Sequence, residues 1–233
     1  MGYDILITGA NRGLGLALTD QLLKKGHRLH ALRRHESSRL AELQVEFPQG
    51  LHQYACDVSD EASVRMALEL VAAQTDSLDI LLNNAAVHLD PAGLPLEQVD
   101  FSVYLLAFQV NSVGPLMVAK YALPLLRKGD GKLIVNFSSE AGSIGACWRT
   151  SEYSYCMTKA ALNMGSRILQ NSLQGEGFKV IALQPGWFSS DMGGADAPIS
   201  PAEAAAPIVK LVMDPPRLEG PMFVDSTGAE LEW

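Results

Sequence analysis

Residues Thr8–Gly15 read TGANRGLG, and the rest of the chain is read outward from this octapeptide. It follows the apolar run DILIT (4–8) and leads into LGLALTDQLLKK (14–25), whose apolar residues recur at three- and four-residue spacing. Gly9, Gly13 and Gly15 therefore stand at a turn from strand to helix. A helix starting there presents unpaired N–H groups and the positive end of its dipole, a favourable seat for a phosphate. The spacing G-x3-G-x-G differs from the G-x-G-x-x-G of many dinucleotide folds. Glycine is common at any tight turn, so the position after the first strand gives the motif its weight.

Downstream, short apolar runs alternate with helical patterns. The strand-like runs are RLHAL (28–32), LHQYA (51–55), LDILLN (78–83), KLIVNF (132–137), KVIALQ (179–184) and PMFV (221–224). They lack strict alternation, as strands covered on both faces do. SVRMALELVAAQ (63–74) and the long segments 97–127 and 153–173 have helical spacing. Repeated strand–helix–strand units with right-handed crossovers predict an α/β, doubly wound (Rossmann) three-layer sandwich around a seven-stranded parallel sheet. The whole chain, 1–233, reads as a single dinucleotide-binding catalytic domain, with GGADAPISP (193–201) as its most mobile loop.

The 233 residues are 48% hydrophobic and carry a net charge of −8, which speaks against a basic nucleic-acid-binding face. Cys56, Cys147 and Cys156 have no metal-ligand spacing and suit free thiols in a reducing compartment. No basic-then-apolar leader is present, and no uninterrupted apolar run nears the ~20 residues of a membrane span. The expectation is a cytoplasmic protein with no membrane partner.

The second strand should end beside an adenosine ribose. A carboxylate there would accept from a free 2′-hydroxyl and repel a 2′-phosphate. This chain instead places Arg33 and Arg34 at that point, with Arg12 inside the glycine turn. Guanidinium forks match phosphate geometry, so NADP (NADPH) is the expected cofactor, although an arginine pair can also be an ordinary solvated face. Asp57, after the third strand, can accept from the adenine amino group or cap the following helix, where Ser59 and Asp60 compete.

YCMTK places Tyr155 and Lys159 four residues apart, on one face of a helix. A phenol with pKa of about 10 is a poor acid or base at neutral pH. A cation about 4 Å away at an effective dielectric near 20 is worth about 4 kcal/mol, or roughly three pKa units. The pair is thus expected to bring the phenol toward neutrality.

TGANRGLG, NNAA (83–86), VNSVGP (110–115), NFSSEAGS (136–143), Tyr155-x3-Lys159 and QPGWFSSDMGG (184–194) occur in order. Together they resemble the short-chain dehydrogenase/reductase family over essentially the whole chain, and the branch of C-factor-like proteins and sniffer-type carbonyl reductases. The resemblance implies a reversible NADPH-dependent reduction of a ketone or aldehyde to an alcohol. Tyr155 would be the acid in reduction, Lys159 would hold the nicotinamide ribose and tune the phenol, and Ser139 would bond the substrate oxygen. Asn111 would order a water in a relay through Lys159. Ser138 is an equally good hydroxyl by composition; only the resemblance selects Ser139. Asn11, Leu14, Val58, Asn83, Ala85, Pro185, Gly186, Trp187 and Ser190 would complete the cofactor contacts. Helices 97–127 and 153–173 are the family's pairing surface, which implies a homo-oligomer, dimer or tetramer.

The chain departs from the family pattern in NNAA for NNAG, Ser190 for threonine, and a longer interval between Ser139 and Tyr155. His88, Trp148, Trp187, Phe188 and Met192 are the expected walls for an apolar carbonyl substrate. The competing expectation is an NADP(H)-binding regulatory or signalling protein with little turnover. The four intact catalytic positions weigh against it.

Overall fold

The computed structural model describes residues 2–215 and 222–233. Its strands are β1 (Asp4–Thr8), β2 (Arg28–Arg33), β3 (Leu51–Ala55), β4 (Ile80–Asn83), β5 (Leu133–Phe137), β6 (Lys179–Gln184) and β7 (Met222–Asp225). They form one seven-stranded sheet in the order β3-β2-β1-β4-β5-β6-β7, and each neighbouring pair is parallel. Each predicted strand falls on an observed one, except that Pro221 lies outside the described residues.

Alternation within the strands sends side chains into two separate cores. Ile5 and Ile7 of β1, Ile80 and Leu82 of β4, and Leu133 and Val135 of β5 face one way. They meet α1 (Gly13–Lys24), α2 (Ser38–Glu46) and α7 (Pro201–Met213) through residues such as Leu18, Leu40 and Ile208. Leu6, Leu81 and Ile134 face the other way, against α3 (Glu61–Gln74) and α5 (Gly114–Leu126), through Val64, Leu68 and Val118. α6 (Tyr153–Leu173) adds Leu173 to this second core. Burial on both faces explains why the strands read as apolar runs rather than alternating ones. The strand order reverses between β1 and β4, and in such sheets the crevice beyond the carboxyl ends at that reversal receives ligands.

The predicted helix 97–127 is broken up. Two 3-10 turns, Leu96–Gln98 and Phe101–Val103, precede α4 (Tyr104–Phe108); a π-helical turn, Gln109–Val113, then joins α4 to α5. Asn111 sits in that π turn, the kind of local widening that a polar side chain turned inward can hold open. Among the described residues, the helical stretch Phe101–Leu126, 26 residues long, has the length and apolar composition to cross a membrane. Its inner face, including Val110, Val118 and Ala122, belongs to the second core.

α2 and α7 had no predicted counterpart. The expected loop 193–201 ends directly in α7, where Ser200 and Glu203 form a capping box with Pro201 in the first turn. The segment before it is tied back by a bridge between Phe188 and Ile199 and by Trp187 Nε1 donating to Gly193 O at 2.8 Å.

Candidate active site

A cavity of about 700 Å³ opens at the carboxyl ends of β1 and β4. Its floor is the glycine turn, where Gly13 and Gly15 serve different ends. A Cβ at Gly15 would lie 2.2 Å from Gly9 O, so Gly15 lets the helix start pack on the strand end. Gly13, at φ +52°, supplies a left-handed residue with no atom within 4 Å of where its Cβ would be. α1 begins there with no side-chain cap on Arg12 and no acid in its first turn, leaving its N–H groups facing the opening. Asn11 and Leu14 complete this wall.

The predicted NNAA contact divides between its two asparagines. Asn83 is buried away from the cavity, its Nδ2 donating to Asn136 Oδ1 at 2.8 Å and Pro115 O at 3.2 Å. The cavity-lining residue is Asn84, which the sequence reading passed over. Its Nδ2 donates to Thr8 O at 3.0 Å and Gly9 O at 3.2 Å, locking the turn after β4 to the glycine turn. Ala85 lines the cavity beside it.

Of the three arginines expected to converge, Arg12 and Arg34 line the cavity and Arg33 does not. Strand alternation turns Arg33 toward β3, where its Nε donates to Gln53 Oε1 at 2.9 Å and its guanidinium lies 3.5 Å from Glu36. His35 takes its place, accepting at Nε2 from Arg34 Nε at 3.0 Å. Asp57 and Val58 also line the cavity. Asp57 does not cap α3; Asp60 does, accepting from Ala62 N. Burial raises the Asp57 carboxyl, but the Ser59 hydroxyl and amide that it accepts from hold it below its usual value.

α6 carries Tyr155 and Lys159 into the inner end of the cavity. Lys159 is fully buried, and its Nζ donates to Phe137 O at 2.7 Å while lying 5.6 Å from the Tyr155 ring centroid. Burial pushes the ammonium down to about 8. The same desolvation pushes the Tyr155 phenol up to about 12, against a lowering by its hydrogen bond with Ser139. The expected drop toward neutrality is therefore reversed: the phenol is desolvated at the inner end of the cavity although its side chain is only half-buried, and the ammonium is bonded to a carbonyl instead of to the phenolic oxygen. At neutral pH Tyr155 holds its proton.

The two serines separate cleanly. Ser138 reaches the cavity wall, but its hydroxyl donates to Asn163 Oδ1 at 2.6 Å. Ser139, the serine that the resemblance selects, adjoins Tyr155 without lining the cavity and donates to Glu140 Oε2 at 2.5 Å. The Asn111 side chain accepts from Val87 N and donates to Val87 O, both at 2.8 Å, and donates to Thr158 Oγ1 at 3.1 Å. It braces α6 and the segment after β4, behind the cavity wall.

On the far wall, Pro185, Ser190, Phe188 and Met192 line the cavity, whereas Gly186, Trp187 and Trp148 do not. Both tryptophans are exposed. Loop 143–152 is tethered, since Ile144 N and Gly145 N donate to Trp233 O at 3.2 and 3.1 Å. Sequence reasoning missed Glu140, Arg149 and Glu152, whose charges surround Ser139 and Tyr155; the extra length of this loop was the signal for Arg149 and Glu152, while Glu140 stood inside NFSSEAGS (136–143).

Residues 4–198 match the sequence pattern of the family described as short chain dehydrogenase. The C-signal protein of Myxococcus xanthus is 35% identical over 161 residues, covering 68% of this chain and 95% of its own. The carbonyl reductase Sniffer of D. melanogaster superposes with a TM-score of 0.93 at 30% identity, over 100% of both chains. An NADPH-bound carbonyl reductase from chicken fatty liver superposes with a TM-score of 0.89 at 27% identity, over 100% of this chain and 94% of its own. The chain belongs to the short-chain dehydrogenase family of oxidoreductases.

Proposed function

We propose that this protein is an NADPH-dependent carbonyl reductase that converts a ketone or aldehyde to an alcohol, reversibly, with Tyr155 as the proton donor. The observation that carries the reading is the half-buried Tyr155 phenol, whose desolvation favours the protonated form, at the inner end of a cavity whose outer end is an uncapped helix N-terminus. A dinucleotide fits these residues. The α1 amides and the open face at Gly13 suit its pyrophosphate, Arg12 and Arg34 suit a 2′-phosphate, and Asp57 can accept from an adenine amino group.

When bound, the nicotinamide supplies the hydride. Tyr155 would donate its proton to the carbonyl oxygen as negative charge develops there, and Ser139, which donates to Glu140 in this structure, would turn its hydroxyl to the same oxygen. Lys159, which lines the cavity, would hold a ribose hydroxyl in place of Phe137 O, and its charge would favour the phenolate left behind. Asn111 holds the segment after β4 against α6, fixing the distance between the two sides of the site.

The same reading has 1–233 acting as one catalytic unit in a cytosolic setting, where Cys56, Cys147 and Cys156 stay reduced. It has copies pairing through α4 to α6, where Leu105, Val113, Met157, Met164 and Ile168 are exposed apolar side chains. The C-signal relative favours a second reading, a cofactor-binding signalling protein with little turnover. The separating experiment follows NADPH and NADH oxidation against a panel of apolar aldehydes and ketones. NADPH-linked turnover supports the reductase, and tight NADPH binding without turnover on any carbonyl supports the signalling reading.

A further inference from the structure

One group of charged side chains around Tyr155 has no part in the proton transfer just described. Arg149 donates through one terminal nitrogen to Glu140 Oε1 and through the other to Glu152 Oε2. Glu140 in turn accepts from the Ser139 hydroxyl at 2.5 Å through its other oxygen. The second oxygen of Glu152 lies 3.1 Å from His88 Nε2, close enough for an ion pair but not aligned as a hydrogen bond. His88 then packs on the Tyr155 ring, with centroids 4.5 Å apart and planes tilted by 31°. One guanidinium is thereby linked to both flanks of the phenol.

The arrangement is costly to keep unless it is used. The Arg149, Glu152 and His88 side chains are only 19%, 13% and 16% exposed, so water offers them little compensation. Glu152 also holds a left-handed backbone at φ 63°, immediately before α6 and three residues from Tyr155. Asp90, from the segment after β4, clamps the same helix start by accepting from Ser154 N and Oγ, both at 2.5 Å.

We infer that Arg149 is a positioning residue: through Glu140 it sets the direction of the Ser139 hydroxyl, and through Glu152 it holds His88 against the Tyr155 ring. This rests on Tyr155 being the proton donor. Among the described residues, Arg149 is also the one positive partner shared by Glu140 and Glu152. Without it two carboxylates face each other beside the phenol, and one of them takes up a proton as pH falls. The other ionisable groups close to this cluster are His88 and Asp90 after β4, Cys147 in the loop, and Tyr155, Cys156 and Lys159 on α6. All of these are common to the wild type and the variants, so the test is a ratio of the two.

Arg149→Met is compared with wild type for carbonyl reduction from about pH 5.5 to about pH 8. Near pH 7.5 we expect kcat to fall about tenfold or more while NADPH affinity stays within about twofold, and the deficit to shrink at least about threefold toward pH 5.5. Glu140→Gln combined with Arg149→Met should recover part of the loss near neutral pH, because the opposed charges are gone. Arg149→Lys keeps the charge without the fork and should be intermediate with no pH-dependent deficit; Arg149→Gln, which also removes the charge, carries the same pH test if Arg149→Met does not fold. A deficit that is constant across pH, or a kcat within about twofold of wild type, overturns the inference. Tyr155→Phe is run beside it. Unimpaired turnover in that variant overturns the proton-donor reading itself, whereas an inactive Tyr155→Phe with a normal Arg149→Met removes only the role of Arg149.

Discussion

Arg12 and Asp191, 179 residues apart in sequence, form an ion pair across the mouth of the cavity. One comes from the glycine turn and the other from the loop after β6, so the contact joins the two walls. Both side chains are well exposed, which limits the pair to about 1 kcal/mol or less. A 2′-phosphate would compete with Asp191 for the same guanidinium. Asp191→Asn should therefore tighten NADPH binding by up to about fivefold and leave NADH binding unchanged. Titration of the two nucleotides by fluorescence checks this, and equal changes for both would place the 2′-phosphate elsewhere. In the same assay Arg34→Ala should weaken NADPH by on the order of tenfold or more, and Arg33→Ala by far less, because Arg33 lies on Gln53.

The pH dependence follows from two groups on α6, the buried Lys159 and the half-buried Tyr155. Lys159 has its pKa lowered to about 8, so its positive charge is lost as pH rises through that value. Tyr155, pushed up to about 12, keeps its proton over the same interval. The rate of carbonyl reduction at saturating NADPH should hold level below about pH 7 and fall as pH passes about 8. A rate that climbs steadily through that interval would mean that a phenolate, not a phenol, is the working form.

The glycine turn makes a prediction about stability. Gly15→Ala would place a methyl 2.2 Å from Gly9 O, against backbone that has no room to move. We expect it to destabilise the fold by several kcal/mol, as overpacking at backbone does. Gly13→Ala meets open space and should cost only the left-handed conformation, about 1–2 kcal/mol. Urea melts of the two variants give the comparison, and equal losses would contradict the division of labour between these glycines.

The parts of this molecule legible in the sequence are those governed by local pattern. Apolar runs located all seven strands, and glycine spacing located the turn at the sheet's reversal. Arg33 and Arg34 could not be told apart, because which faces the cavity depends on strand alternation and on Gln53 across β3. Asn83 and Asn84 were confused for the same reason, since one step along the chain exchanges core for crevice. The S-x-x-E box at Ser200 is a local signal for α7 that stood in plain view. The desolvation of the Tyr155 phenol and the Arg149 cluster are different in kind. They arise from loop 143–152 folding back beside α6 and the segment after β4, a tertiary event with no periodicity to announce it. Coulomb's law between Tyr155 and Lys159 gave the wrong sign for the phenol because desolvation, invisible in a sequence, outweighed it.

The central claim is that Tyr155 passes its proton to a carbonyl oxygen in step with hydride arrival at the adjacent carbon. The most direct measurement mixes the protein with an apolar aldehyde and NADPH deuterated at the nicotinamide C4, and follows deuterium into the alcohol by mass spectrometry in single turnover. Transfer by wild type, with Tyr155→Phe slower by on the order of a thousandfold yet still binding NADPH, is the predicted result. Equal transfer by the two proteins would contradict the account.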